Sequence, residues 1–519
     1  MHTNNLSKSV TARLVTTKCI LALSTTLIVG CSSIPLMTPD MALQSPRKVK
    51  LEGAQGALSN AQSKQILARL KKNGDDTNIF DRHLALESEI VGSPLIIGNK
   101  VELLIDGPST YKAMIAAIEG AKDHINMETY IIEDDEIGQK FSDLFIQKQQ
   151  SGVQVNLIYD SVGSIKTPKA FFKKLSDAGV NVLEYNPINP LDTRKDWNVN
   201  QRDHRKLLIV DGETAFVGGI NISSVYSSGS FGGGLSGGST GKAKSKLIKP
   251  DEKIKAEDEN SMHSNVGNPN LGPVLANNPP YVPAPSALEG TPWRDTHMQM
   301  TGPVVAEFQK LYFDTWKAQK GREVAQKNYY PALTNQGNEI VRAIGSSPDE
   351  PYSQIYSTLI SAINSAETQV YLTNAYFVPD PQLLAALKEA VARGVDVRLI
   401  LPGKTDSTLV FHASRSFYDE LLSAGVKIYE REGALLHAKT AEIDGVWATV
   451  GSTNLDWRSF VHNQEINAVM LGMDFAGKMQ QMFEKDLTAS KQITLENWRK
   501  RSVSLKLKEQ AARLWARLL

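Results

Sequence analysis

The sequence predicts an α/β fold built from two copies of one unit. Three observations lead there. Strand-like and helix-like periods alternate from residue 101 onward, the same order returns from residue 357, and one histidine-centred phrase stands in each half at identical spacing. In the first half, residues 101–105 alternate as a strand does, 111–121 carry helical spacing and 125–131 read as a second strand. Residues 137–149 are helical and 153–159 form a third strand. The second half repeats this with a helix at 357–366, a strand at 369–377, a helix at 381–393 and a strand at 395–401. The Ala-Gly-Val phrase that opens residues 178–185 also opens 424–431. A repeat this long is a duplicated domain, not a solenoid.

Composition sets outer bounds. At 519 residues there is room for two domains, and 41% apolar with 22% charged residues is ordinary for a globular chain. The formal net charge is +1; residues 1–30 hold Lys8, Arg13 and Lys18 and no acid, so the remainder carries 54 basic and 56 acidic residues, a net of −2. A general nucleic-acid binder would show a marked basic excess, so no nucleic-acid partner is expected.

Those first 30 residues read as a secretion signal, with three basic residues ahead of an apolar run (19–30) too short to span a bilayer. The run ends in Ile28-Val29-Gly30-Cys31, which resembles a bacterial lipobox, where the cysteine is lipidated and becomes the first residue of the mature chain. Ser32 then favours the outer membrane, facing the periplasm; an ordinary signal peptide with an incidental cysteine is the competing reading. Cys19 and Cys31 are the only cysteines, so cleavage leaves no pair for a disulfide. No later stretch reaches spanning length, and membrane contact is expected through the anchor and the protein surface.

Residues 31–95 read as a tether with a short helical lead-in, 96–330 as the first lobe, and 331–519 as the second lobe with a C-terminal helix. A Gly- and Pro-rich excess at about 227–292 cannot bury a core and is expected to be a flexible insertion in the first lobe. In the tail, Leu505, Ala512, Trp515 and Leu519 can share a helical face, with Lys506, Lys508, Arg513 and Arg517 nearby. This reads first as a terminal helix docked on its own domain, and second as a basic amphipathic helix on anionic lipid.

The chemistry lies in the paired phrase. His204-Arg-Lys206 leads to Asp211 and then to Gly218-Gly219-Ile-Asn221; His437-Ala-Lys439 leads to Asp444 and then to Gly451-Ser452-Thr-Asn454. In both copies Lys follows His by two residues, Asp by seven and Asn by seventeen. Residues two apart on a strand share a face, so each His and Lys would meet one pocket, and a glycine turn permits close approach to a ligand and brings the Asn there. Two copies about a pseudo-twofold axis would surround one phosphate with two imidazoles, two ammonium groups and two amides. Asp211 and Asp444 are counted with the catalytic set, although seven residues along a strand put them on the opposite face, and shaping the turn is the competing reading. Asp295 and Glu465 occupy equivalent positions, each seven residues before a glycine (Gly302, Gly472) and eighteen before a phenylalanine (Phe313, Phe483). Each is expected to accept from the far nitrogen of a catalytic imidazole and fix its tautomer. A lone H-x-K is commonly an exposed strand face, and the other seven of the nine histidines earn no more than that reading. No metal-ligand spacing occurs, so neither a metal nor a cofactor is expected.

These motifs, with residues 127–131, 200–206, 216–222, 374–380, 393–397 and 451–460, resemble the phospholipase D superfamily and within it the bacterial cardiolipin synthases. The resemblance implies two phospholipase D-like lobes, each a mixed sheet flanked by helices, sharing one central site. It implies phosphatidyl transfer through a phosphohistidine, with His204 as nucleophile and His437 as acid and base, acting on a phospholipid such as phosphatidylglycerol. Phospholipase D hydrolysis, a superfamily nuclease and a non-enzymatic envelope scaffold are the competing readings. Two features depart from that branch: a lipobox in place of N-terminal membrane helices, and the insertion.

Overall fold

The computed structural model describes residues 49, 51–73, 77–188, 198, 200–228 and 290–519. The signal segment, Cys31 and nearly all of the insertion lie outside the described residues.

Both halves share a mixed sheet of seven strands in the same order, to which Ser490–Ile493 adds an antiparallel edge strand beside Lys427–Arg431 in the second. In the first lobe the strands run Asn181–Tyr185, Gln154–Asp160, His124–Thr129, Lys206–Val210, Thr214–Gly218, His297–Thr301 and Leu95–Leu104. In the second they run Lys427–Arg431, Asp396–Pro402, Gln369–Asn374, Lys439–Ile443, Trp447–Gly451, Asn463–Leu471 and Glu339–Ser346. In both lobes the first three strands are parallel and the other four antiparallel. The two sheets join edge to edge where Leu95–Leu104 pairs antiparallel with its counterpart Glu339–Ser346. Two equivalent edge strands paired antiparallel are what a twofold axis produces, and each lobe thereby covers the edge of the other.

Local sequence signals repeat with the sheet order. Asp135 caps the helix Glu136–Gln150 by accepting from the Gly138 N–H, and Asp380 caps Pro381–Ala392 by accepting from Leu383 and Gln382. Both helices begin just beyond the strand ends where the site lies. Asp211 and Asp444 have positive φ (54° and 53°) at the turns after Lys206–Val210 and Lys439–Ile443, and a glycine follows each.

The segment before residue 95 corrects the expectation of a tether. From Leu51 it belongs to the second lobe: Leu51, Ile79, Phe80, Leu84, Ile90 and Val91 are buried in one cluster with Ile340, Ile355 and Leu359. The helix Gln354–Ser365 explains why. All but two of its twelve residues are buried, so its outer face needs a cover, and the short helices Ile79–His83 and Leu84–Ile90 supply it. His83 is consumed in that packing, 3.0 Å from Ser361 Oγ and edge-on to the Trp447 ring. Leu51–Gly53 adds a further strand parallel to the start of Leu95–Leu104. The polar composition of 51–78 hid this role, because only the apolar positions after Ile79 enter the core in strength.

Leu84 is fully buried in that cluster. Leu84→Ala is therefore expected to lower unfolding stability by about 2–5 kcal/mol in urea melts. A true tether would leave the midpoint unchanged.

Candidate active site

Two short inter-lobe ladders assemble the site. Arg202–Asp203 pairs parallel with Asn463–Gln464, and Trp293–Arg294 pairs parallel with Leu435–Leu436. Each ladder ends in a histidine on one side and a carboxylate on the other. The His204 N–H donates to the Gln464 carbonyl at 2.9 Å, and the His437 N–H to the Arg294 carbonyl at 2.8 Å. Each histidine thus sits between an inter-lobe ladder and the sheet strand that begins at its lysine, not within one continuous strand.

Each of these two imidazoles takes its carboxylate from the opposite half. His204 Nδ1 lies 3.0 and 3.1 Å from the Glu465 carboxylate oxygens, and His437 Nδ1 lies 2.7 Å from Asp295 Oδ2. A carboxylate at Nδ1 places the proton there and leaves the Nε2 lone pair free for chemistry. Both carboxylates are fully buried, whereas the imidazoles retain 7% and 6% exposure.

The lysines lie deeper than the histidines, at 2% exposure each. Lys206 Nζ donates to the His204 carbonyl at 2.6 Å and stands 5.1 Å from the Tyr130 ring centre; Lys439 Nζ donates to the His437 carbonyl. Burial lowers Lys206 to about 7 and Lys439 to about 8, the nearby Glu465 and Asp295 charges opposing the fall. The site is therefore poised for an anion that would restore both ammonium charges.

The two dyads differ. Burial lowers His204 well below the ordinary imidazole value, and the charges of Lys206, Lys439, His437 and Arg458 add to that. Its partner Glu465 is raised by burial to about 7, against the pull of Lys206 and of donation from Ser452, Asn463 and Ser459. Both members of that pair lean towards neutrality. Burial also pushes Asp295 up, but His437, Lys439 and the Thr296 N–H at 2.7 Å outweigh it, so its carboxyl lies below the ordinary value. His437 is lowered by burial and Lys439 while Asp295 holds it up. At the same register, Gly219 makes room for one carboxylate and Ser452 donates to the other: a Cβ on Gly219 would lie 2.2 Å from Asp295 Oδ1.

That contact revises the expected use of the glycine turn. The glycines admit neighbouring protein side chains, since a Cβ on Gly218 would strike His297 and one on Gly451 would strike Asn467. The two asparagines also part company. Asn221 Oδ1 accepts from the Ile131 N–H at 3.1 Å and its Nδ2 donates to Tyr226 at 3.1 Å, so this amide braces the pocket wall. Asn454 Oδ1 is buried without a protein partner.

Asp211 and Asp444 are corrected out of the pocket. Asp211 accepts from the backbone N–H groups of Lys122, Asp123 and His124 at 2.8–3.0 Å, and Asp444 from those of Glu367, Thr368 and Gln369 at 2.9–3.2 Å. They are anion caps on the chain entering the adjacent strand, at the far end of the sheet from the histidines.

Several aromatic residues at the site are not singled out by the spacing of the paired phrase. Tyr130 stands edge-on to His204 with ring centres 5.0 Å apart, and Trp293, Tyr226 and Tyr376 ring His437 at 5.3, 5.8 and 6.2 Å. The Tyr226 hydroxyl lies 3.4 Å from His437 Nδ1. Tyr130 and Tyr376 follow the counterpart strands His124–Thr129 and Gln369–Asn374, whereas Trp293 lies in an inter-lobe ladder and Tyr226 ends a short helical turn, and it is packing that brings all four to the imidazoles.

If the cross-lobe carboxylates hold the imidazole tautomers, Glu465→Gln and Asp295→Asn will each lower kcat by roughly 10²- to 10⁴-fold with little change in melting temperature. Asp444→Ala should do the reverse, costing about 1–3 kcal/mol of stability while the folded protein keeps its kcat. A large kcat loss in Asp444→Ala at unchanged stability would return that residue to the catalytic set.

Comparison with known proteins agrees with this architecture. Residues 114–228 and 359–487 match the family described as "Cardiolipin synthase, PLD-like domain". The chain is 34% identical over 419 residues to cardiolipin synthase 2 of Bacillus anthracis, covering 80% of this chain and 70% of that protein. It is 32% identical over 454 residues to the cardiolipin synthase of Halalkalibacterium halodurans, covering 87% and 78% respectively. Among solved structures, phosphatidylserine synthase of Haemophilus influenzae superposes with a TM-score of 0.55 over 83% of this chain and 99% of that one, at 12% identity, a likeness of fold. The chain belongs to the cardiolipin synthase family of phospholipase D-type phosphatidyltransferases.

Proposed function

We propose that this protein makes cardiolipin by transferring the phosphatidyl group of one phosphatidylglycerol to the head-group hydroxyl of a second, releasing glycerol. The observation that supports this most is the pair of cross-lobe dyads, each leaving an Nε2 lone pair at a pocket supplied with two lysines.

His204 Nε2 attacks phosphorus while the bond to the departing glycerol oxygen breaks, and His437, entering the step as the imidazolium paired with Asp295, gives its Nε2 proton to that oxygen and is left with an Nε2 lone pair. The phosphatidyl group is then held on His204. In the second step the acceptor hydroxyl gives its proton to His437 Nε2 and its oxygen attacks phosphorus. The P–N bond breaks and its electron pair returns to His204. Lys206 and Lys439 neutralise the charge on the phosphoryl oxygens, joined by Asn454 and the remaining amide hydrogen of Asn221. The unequal dyads favour this order. A histidine kept unprotonated by burial, with basic side chains adding to the effect, suits the nucleophile, and one held up by the charge of Asp295 against its own burial suits the group that must carry a proton.

The lipobox at Cys31 supports an anchored enzyme at the outer membrane, facing the periplasm. An anchored enzyme meets crowded head groups, which raises the effective concentration of lipid acceptors over a free-solution encounter.

The reading is tested with vesicles of phosphatidylglycerol and mass spectrometry of the products. Cardiolipin and glycerol from the wild type, absent with His204→Ala and His437→Ala, are expected; phosphatidate alone would make the enzyme a hydrolase with the same site. The lysines set the pH profile. In the free enzyme they lose charge as pH rises through about 7 and about 8, so with both charges needed kcat/KM should fall about tenfold per pH unit between those values and about a hundredfold per unit above them. Bound phosphodiester raises both lysines again, so kcat should hold to higher pH. A flat kcat/KM up to about pH 9.5 would contradict phosphate binding by these lysines.

A further inference from the structure

Among the described residues no helix is long and apolar enough to cross a membrane, yet the C-terminal segment leaves an apolar face in solvent. The helix Val503–Arg513 docks against Thr408–Arg415 through Glu509 and Ala512, and the final turn Ala516–Leu518 packs against Trp457–Val461 with Ala516 buried. That is the docked terminal helix the sequence favours, but docking consumes only one side. Leu514 is 85% exposed, Val503 70%, Leu507 65%, Leu518 58% and Trp515 55%. Val503, Leu507, Leu514 and Leu518 are spaced by four, seven and four residues, so they share one stripe of a helical path.

The charge along that segment is mainly basic, although Arg499, Lys500 and Arg513 pair with Asp419, Glu496 and Glu420. Residues 499–519 hold seven basic residues against the single acid Glu509, a net of +6 in a chain whose total is +1. Glu509 is buried and bonded to Arg501, so it does not offset the outward charge. Lys506, Lys508 and Arg517 are exposed beside the apolar side chains. A protein–protein interface core is depleted of lysine, whereas apolar side chains flanked by lysine and arginine suit an anionic lipid surface, with aliphatic stems in the acyl boundary and charges at the head groups.

The patch is also joined to the catalytic pocket. The Arg458 N–H donates to the Leu519 carbonyl at 3.3 Å, and the Arg458 guanidinium donates to the Asn200 carbonyl at 3.3 Å, on the chain leading into His204. On the other side, the helix Thr408–Arg415 follows Asp406, which accepts from the Tyr376 hydroxyl at 2.7 Å beside His437. Both elements that carry the tail thus lead to a catalytic histidine.

We infer that the outward face of residues 503–518 is a second membrane contact, separate from the N-terminal anchor, which lies on anionic phospholipid and holds the pocket mouth against the bilayer. It rests on the lipid substrate proposed above only for its purpose, not for its binding.

The test uses the full chain carrying Cys31→Ser, so that no lipid is attached and any background from the N-terminus is the same in every variant. Sedimentation with phosphatidylcholine vesicles, with and without phosphatidylglycerol, is measured for this protein and for Leu507→Ser/Leu514→Ser/Leu518→Ser. Equal melting temperatures and equal activity on monomeric short-chain phosphatidylglycerol show that the exposed substitutions leave fold and site intact. Expected are preference for phosphatidylglycerol vesicles, a loss of affinity of about tenfold or more in the triple variant, and a comparable loss in Lys506→Gln/Lys508→Gln/Arg517→Gln. Quenching by brominated acyl chains, read as the difference from Trp515→Phe, should place that indole in the bilayer. Unchanged vesicle affinity in the apolar variant, or no Trp515 quenching, overturns the inference. So does a wild-type dimer that becomes monomeric in the apolar variant, since a second copy then covers the patch. Vesicle binding without activity on the short-chain lipid would leave this contact standing and defeat the catalytic reading instead.

Discussion

The structure depends on two short parallel ladders that cross between the lobes. Each is only two residues long, yet each delivers a histidine from one half and a carboxylate from the other to a single hydrogen bond. Neither half contains a complete dyad. A buried carboxylate that loses its partner is expensive, because its charge has been removed from water with nothing to oppose it. Lobe pairing and catalytic assembly are therefore one event. Two buried arginines hold the ladders in register. Arg205 donates to the Glu465 carbonyl at 3.1 Å and to Thr315 at 2.8 Å, while Arg294 grips Asp486 through two bonds at 3.0 and 2.7 Å. The edge-to-edge join of Leu95–Leu104 with Glu339–Ser346 sets the same registry from the sheet.

Duplication has been preserved in the scaffold and relaxed around the chemistry. Sheet order, helix caps and the two aspartate turns repeat between halves, but the dyads are tuned apart. Gly219 leaves Asp295 to accept from a backbone amide, whereas its counterpart Ser452 adds a hydroxyl donor to Glu465. The first-lobe ladder is built from Arg202 and Asp203, braced by buried Asp160; the second uses Leu435 and Leu436. The proposed reaction, in which one histidine is phosphorylated and the other trades a proton, asks for unequal sites, and a twofold fold supplies them only by local divergence.

Burial of the two lysines follows from the same economy of space. Each ammonium is anchored on the carbonyl of its own histidine, so the cation cannot move away from the imidazole it serves. Depressed towards neutrality by burial, the lysines need no standing counterion, and a phosphodiester anion would supply the missing charge. This preorganisation explains how a site with four basic side chains can remain buried between lobes.

By itself the sequence determined the duplicated α/β architecture, because strand and helix periods are local and repeat in order. It also determined the histidine–lysine pairs, and the equivalence of Asp295 with Glu465, because spacing survives duplication. The turn role of Asp211 and Asp444 was legible as an alternative from strand parity alone. Only the tertiary structure decided which carboxylate serves which histidine, since ladder pairing joins residues 261 and 142 positions apart. It alone turned Leu51 and the apolar positions of residues 79–91 from tether into core, and it alone gathered Tyr130, Tyr226, Trp293 and Tyr376 around the imidazoles. Periodicity reports the face a residue presents within its own element; which distant element meets that face is settled by packing, and spacing along the chain carries no record of it.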